Sequence, residues 1–137
     1  MESKIHGTDY SYFEIKRLIG VITHKYPFVS VENIGKSVAG RDIQALSLGS
    51  TSDFTLFVAG DDPAFRISTL ILLQFITELS EKILSGSEMC GINIRRAMFG
   101  RGVMILPLLN PDGYEIALRG QSGCYNMADK ISKLSAQ

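Results

Sequence analysis

The chain has 137 residues, enough for one domain with a true hydrophobic core and too few for two of ordinary size. Hydrophobic residues make up 45% and charged residues 20%, the composition of a soluble globular protein. Lys plus Arg equal Asp plus Glu, 14 each, so no net field directs the chain to nucleic acid or to an anionic membrane. The start, Met1 to Gly7, has no apolar signal core, and no run approaches the ~18 apolar residues of a membrane helix. These features predict a cytoplasmic chain, or one cut from a longer precursor. Cys90 and Cys124 lack paired-ligand spacing, and a zinc site on them would have to recruit His6 and His24 from distant segments. They read as two free thiols in a reducing compartment.

In chain order, Ser11 and Glu14 form a capping-box pattern, and Ile15, Leu18, Ile19 and Ile22 recur on one helical face. Pro27 ends that helix near Lys25 or Tyr26. Val29, Val31 and Ile34 predict a strand. The glycines of Gly35-Lys36-Ser37-Val38-Ala39-Gly40-Arg41 then predict a hairpin into a second strand with Ile43, Ala45, Leu46 and Leu48. Gly35-Lys36-Ser37 is no phosphate loop: Ser30 occupies the place of the motif's first glycine, and a strand rather than a helix follows.

Phe54 to Ala59 is a continuous apolar run of the kind that fills a strand buried on both faces. It breaks at Gly60-Asp61-Asp62-Pro63 and resumes as the apolar-periodic segment Ile67, Leu70, Ile71, Phe75, Leu79, Ile83, a long helix with Gly86 available as its C-cap. Asp62 followed by Pro63 is a helix start, with Asp as N-cap and Pro at the first helical position. The neighbouring Asp61 and Asp62 are no acid/base dyad, because paired-carboxylate hydrolysis needs a set separation across the substrate. A short helix is predicted over Ile92 to Phe99, closed by Gly100. Val103 to Leu109 is a second apolar run, a central strand with Pro107 near its end. Asn110-Pro111-Asp112-Gly113 has the signature of a turn, Tyr114 to Leu118 is undetermined, and Met127, Ile131 and Leu134 predict a last helix. Strands and helices in alternation predict an α/β fold, a mixed and partly parallel sheet with helices on its faces. The strands from Phe54 and Val103 are predicted central and parallel, because a helical crossover joins them.

Several of these stretches together resemble the zinc metallocarboxypeptidases, the carboxypeptidase A-like peptidases. Tyr10-Ser11-Tyr12 with its helix and Tyr26-Pro27 is similar to the start of that family. Ile34-Gly35-Lys36-Ser37-Val38-Ala39-Gly40-Arg41-Asp42-Ile43 is similar to its Ile-Gly-x-Ser-x-x-Gly-Arg-x-Ile signature, and Asn110-Pro111-Asp112-Gly113-Tyr114 to its Asn-Pro-Asp-Gly-Tyr turn. The resemblance covers about residues 10 to 120 of a single, truncated carboxypeptidase-like domain.

The resemblance implies a zinc site at the junction after the Phe54 strand, where the family carries a His and, three residues later, a Glu. Those positions are Asp62 and Phe65 here, and Phe65 coordinates nothing. A register shifted by three places Ala59 and Asp62 there instead, so one ligand is lost either way. The family's substrate-gripping Asn-Arg pair, second zinc His, S1′ tyrosine and general-base Glu come later than the residues of this chain. Arg119 comes too early to be assigned the oxyanion role, and Arg41 is read as a structural tie of the hairpin.

No catalytic residue, metal ligand or cofactor is therefore predicted for this chain, although zinc and a peptide substrate belong to the family it resembles. The expected function is that of a carboxypeptidase-like domain of peptide-hydrolase ancestry that is itself inactive. Half of a bipartite zinc peptidase completed by a partner chain, or a non-enzymatic α/β binding module, are the alternatives. A sheet that the family continues with later strands is expected to be left partly uncovered here, which predicts self-association or a partner chain.

Overall fold

Residues 10–120 and 122–123 are described by the structure, a computed structural model. Helix α1 (Tyr12–Lys25) opens with the predicted capping box. The Ser11 hydroxyl accepts from the Glu14 N–H and the Glu14 carboxylate accepts from the Ser11 N–H, so each side chain satisfies a free backbone donor of the first turn. Strands β1 (Ser30–Lys36) and β2 (Asp42–Leu48) form the predicted antiparallel hairpin, with an irregularity in register between Asn33 and Gly35. Strand β3 (Phe54–Val58) leads through a 3-10 turn at Pro63–Phe65 into α2 (Ile67–Ser85), which Gly86 ends in the left-handed conformation. A small hairpin, β4 (Glu88–Met89) and β5 (Ile92–Asn93), precedes α3 (Ile94–Gly100). Strand β6 (Gly102–Leu106) and helix α4 (Pro111–Arg119) follow. The helix predicted around Met127 and Ile131 lies outside the described residues.

The four long strands form one mixed sheet in the order β1-β2-β6-β3. β6 pairs antiparallel with β2 and parallel with β3, as the crossover through α2 requires. Leu46 and Leu48 of β2 stand opposite Ile105 and Val103 of β6, and all four are buried. They share one core with Ile15, Ile19 and Ile22 of α1 and with Leu70, Leu73, Ile76 and Leu79 of α2. In α1 the periodic residues of the sequence are the stripe turned to the core, whereas in α2 the buried stripe is Leu70, Leu73, Ile76 and Leu79, and Ile67 and Ile71 of the expected periodic set are exposed. Among the described residues, no helix is long and apolar enough to cross a membrane.

Three expectations need correction. β3 is parallel to β6 but is not central among the described residues: it is the last strand of their sheet, and all five of its residues are exposed. A continuous apolar run signals surface meant to be covered, and it cannot show whether the cover lies within the same segment of chain. The helix expected over Ile92 to Phe99 starts at Ile94, because Ile92 and Asn93 pair with Met89 and Glu88 and the Asn93 side chain caps the helix. Asn110-Pro111-Asp112-Gly113 is the first turn of α4 rather than a free-standing turn. The Asn110 side chain accepts from the Gly113 N–H at 2.9 Å, and Pro111 sits where its missing N–H does no harm.

α4 fastens α1 through Glu115, whose residue is 2% exposed. Its carboxylate accepts the N–H of Tyr12, the first residue of α1, and pairs with Arg119 at 3.2 Å one turn on. A negative group at this place satisfies an orphan helix donor and faces the positive end of the helix. Glu115→Ala should therefore lower stability by about 2 kcal/mol. In urea unfolding, the midpoint should fall with an unchanged slope.

Candidate functional site

β3 and β6 end at the same level, Val58 opposite Leu106, so the two connections that leave their carboxyl ends meet. Crevices of this kind are where open α/β sheets bind ligands. The meeting is made mainly by backbone. Leu109 N–H donates to the Ala59 carbonyl at 3.0 Å and Asn110 N–H to the Gly60 carbonyl at 2.8 Å. Gly60 adopts φ +67°, and a Cβ there would stand 2.8 Å from Leu108 Cα, so both conformation and space demand glycine. A Cβ on Gly113 would stand 2.8 Å from Pro63 Cγ, which shows how closely α4 begins against the 3-10 turn.

Asp62 and Phe65, the positions that the resemblance aligns with the zinc His and Glu, lie in this junction. Asp62 caps the 3-10 turn: its carboxylate accepts from the Ala64 N–H at 2.9 Å, with Pro63 next. Phe65 is 64% exposed, and its side chain offers no donor atom to a cation. Its carbonyl accepts from the Ser68 hydroxyl at 2.7 Å, and the same hydroxyl accepts from the Gly60 N–H at 3.3 Å. The junction is thus closed by its own backbone and two small polar side chains. Among the described residues, no three of His, Cys, Asp and Glu are grouped so as to hold a metal. Zinc does not fit the side chains present at the junction, since one exposed carboxylate beside a phenyl ring is not a tetrahedral ligand set.

Behind the crevice stands a polar knot. The Asp112 carboxylate accepts from the Ser37 hydroxyl at 2.8 Å, the Ala39 N–H at 2.9 Å and the Arg41 guanidinium at 2.8 Å. Arg41 also donates to the Gly123 carbonyl, and its guanidinium lies 5.8 Å from the centre of the Tyr12 ring. The tie expected of Arg41 is present, but it reaches beyond the hairpin to α4. Beside it, hydrogen bonds from Lys16 and Lys36 hold the Asp42 carboxyl down at about 2. Arg119, left without an oxyanion role, pairs with Glu115.

Sequence reasoning named both motifs of the knot and missed that they touch. It also missed Ser68, whose hydroxyl meets Gly60 N–H, and Asn110, whose side-chain amide donates to the Asp61 carbonyl at 3.5 Å. The available signal was the Asx-capping pattern Asn110-Pro111-Asp112-Gly113, which marks a helix start as readily as a turn.

With this geometry in place, the comparisons with known proteins decide the family. The family model for zinc carboxypeptidase matches residues 15–127. The chain belongs to that family. It is 28% identical over 138 residues to the YqgT protein of Bacillus subtilis (strain 168), an alignment that covers 98% of this chain and 35% of that protein. The chain thus spans about a third of the length of this relative.

Among solved structures, the fold is similar to that of thrombin activatable fibrinolysis inhibitor, with a TM-score of 0.69 at 23% identity over 81% of this chain and 29% of the other. It is also similar to carboxypeptidase A from Helicoverpa armigera, with a TM-score of 0.65 at 24% identity over 86% and 29%. The mixed sheet with its parallel β3-β6 pair is therefore the carboxypeptidase fold, present here in part.

The knot has a pH signature. Burial pushes the Asp112 carboxyl up, but the Ala39 N–H, the Arg41 guanidinium and the Ser37 hydroxyl outweigh it and hold the group below its ordinary value of 3.8. The folded state therefore takes up this proton less readily than the unfolded chain. The contribution is complete above pH ~4 and is lost as pH falls through the folded value. Asp112→Asn should be less stable than the parent by about 1–3 kcal/mol at pH 7. Urea midpoints measured from pH 7 downward should show that gap narrowing below pH ~4.

Proposed function

We propose that this chain is a pseudoenzyme of the zinc carboxypeptidase family, a domain that keeps the carboxypeptidase frame and does not hydrolyse peptides. The observation that carries this reading is the pair of side chains at the strand–helix junction. Asp62 serves as a backbone cap, and the Phe65 side chain has no atom that could bind a metal. A catalytic zinc needs three protein ligands that leave a position for water, and that water needs a base to take its proton. Neither requirement is met by the side chains around residues 60–68. A peptide is the family's substrate class, and the crevice between the two connections is where one would lie; in this chain the proposal is a frame without turnover.

The test has two arms. Elemental analysis of the purified chain should find no stoichiometric zinc. Unblocked peptides incubated with zinc should lose no C-terminal residue. The double variant D62H/F65E returns two potential ligands to the junction and should bind zinc more tightly than the parent, with hydrolysis still absent because two ligands supply neither the third nor a general base. Zinc-dependent release of a C-terminal residue by the unmutated chain, abolished by a chelator, would overturn the proposal.

A further inference from the structure

Asp112 and Gly113 are each demanded by the fold, for different reasons. Asp112 supplies the carboxylate of the polar knot, which accepts from the Ser37 hydroxyl, the Ala39 N–H and the Arg41 guanidinium. Gly113 lies so close to its surroundings that an added Cβ would stand 2.5 Å from Asn110 Nδ2 and 2.8 Å from Pro63 Cγ. Together they make the one Asp-Gly pair of the chain, and no Asn-Gly pair occurs. An aspartate followed by glycine is the peptide unit most open to attack by its own backbone, because no side chain shields the following nitrogen.

The chemistry needs only water. The Gly113 nitrogen attacks Asp112 Cγ: the N–Cγ bond forms, the amide proton goes to solvent and a carboxyl oxygen leaves as water, which gives a five-membered succinimide. Water then adds at the former main-chain carbonyl of Asp112 and breaks its bond to the Gly113 nitrogen. The product is isoaspartate. The chain now runs through Cγ, longer by one methylene, and the old carbonyl carbon has become a carboxylate.

In the folded chain both reacting groups are held by others. Three donors keep the Asp112 carboxylate on the link between β1 and β2, and the Gly113 N–H donates to Asn110 Oδ1 at 2.9 Å. Both residues stand in the first turn of α4, so the nitrogen that must swing toward Cγ belongs to a helix. The carboxyl oxygen leaves as water only from the acid, and despite burial the donors of the knot keep Asp112 ionised.

We propose that Asp112-Gly113 is a site of spontaneous isoaspartate formation that the knot holds shut, so that modification proceeds from molecules in which the knot has opened locally. The new carboxylate sits one carbon closer to the backbone, and the extra methylene shifts the start of α4, so Ser37, Ala39 and Arg41 lose their common acceptor. A local opening that is otherwise reversible is thereby made permanent.

The purified 137-residue chain is aged at physiological temperature and pH. Isoaspartate is read in the tryptic peptide 102–119, where Asp112 is the only aspartate, as loss of cleavage by an aspartate-specific protease. The native chain should form it at least ~10-fold more slowly than the same chain unfolded in guanidinium chloride. Arg41→Gln removes the charged donor and should speed the reaction at least ~10-fold over the native parent, and Ser37→Ala, which removes a neutral one, at least ~3-fold. S37A carries the test if R41Q does not fold. Ile76→Val lowers global stability from a fully buried position on α2 that takes no part in the knot, and it should leave the rate within ~2-fold of the parent. A native chain that isomerises as fast as the unfolded one, S37A no faster than the parent, or I76V as fast as S37A would each overturn the proposal.

Discussion

One carboxylate ties the link between β1 and β2 to the start of α4. Asp112 gathers a hydroxyl, a backbone N–H and a guanidinium from the link between β1 and β2, residues more than seventy positions earlier. A group so placed stays charged only because its donors repay its desolvation, and the donors are in place only because the hairpin has formed. The same residue stands in the first turn of α4, two positions after Asn110, whose N–H reaches Gly60 across the crevice. The hairpin, the start of α4 and the junction after β3 are therefore one unit, and the level of the crevice floor is set by it. Glu115, one turn further along α4, extends the unit to the N-terminus of α1.

Local rules carried much of this. The capping box at Ser11, the hairpin after Ile34 and the left-handed Gly86 are each fixed by a few neighbouring residues, and a sequence read alone contains them, whereas Asp62-Pro63 starts a 3-10 turn and the long helix itself begins at Ile67. The parallel pairing of β3 and β6 was legible because a helical crossover between two apolar runs has few other solutions. What was not legible depends on residues far apart. Nothing near Arg41 says that its partner is Asp112, and nothing near Ile92 says that it pairs with Met89 before the helix begins. At the candidate site the substituted ligand positions were visible by resemblance alone. The Ser68 hydroxyl that bridges Gly60 and Phe65 was hidden, because a serine in an early helical turn has no distinguishing pattern.

β3 shows a different limit. Its apolar content was read correctly and its position was not, for one physical reason: hydrophobicity records a demand for cover and says nothing about its source. Phe57 finds part of that cover in Phe75 of α2, with ring centroids 5.4 Å apart in an edge-to-face arrangement. Leu56, on the opposite face in register with Met104, finds none comparable within the described residues. Among the described residues the strand is thus only partly covered on the helix side and is uncovered on the other, and its outer backbone groups have no strand beside them.

The frame of the crevice does not need a metal to close. Gly60 and Gly113 permit the two connections to touch, the bonds from Leu109 and Asn110 lock them, Asp62 caps the 3-10 turn, and the Ser68 hydroxyl links the Gly60 N–H to the Phe65 carbonyl. Each of these contributions is backbone geometry or a single neutral or capping hydrogen bond. An aspartate in such a cap contributes about 1 kcal/mol. A histidine at that position would give up this contribution before any metal arrived, and zinc would have to offset it through a ligand set that the junction lacks. At residue 62, therefore, capping and metal binding compete for one side chain, and the geometry of this chain is the one in which capping has won.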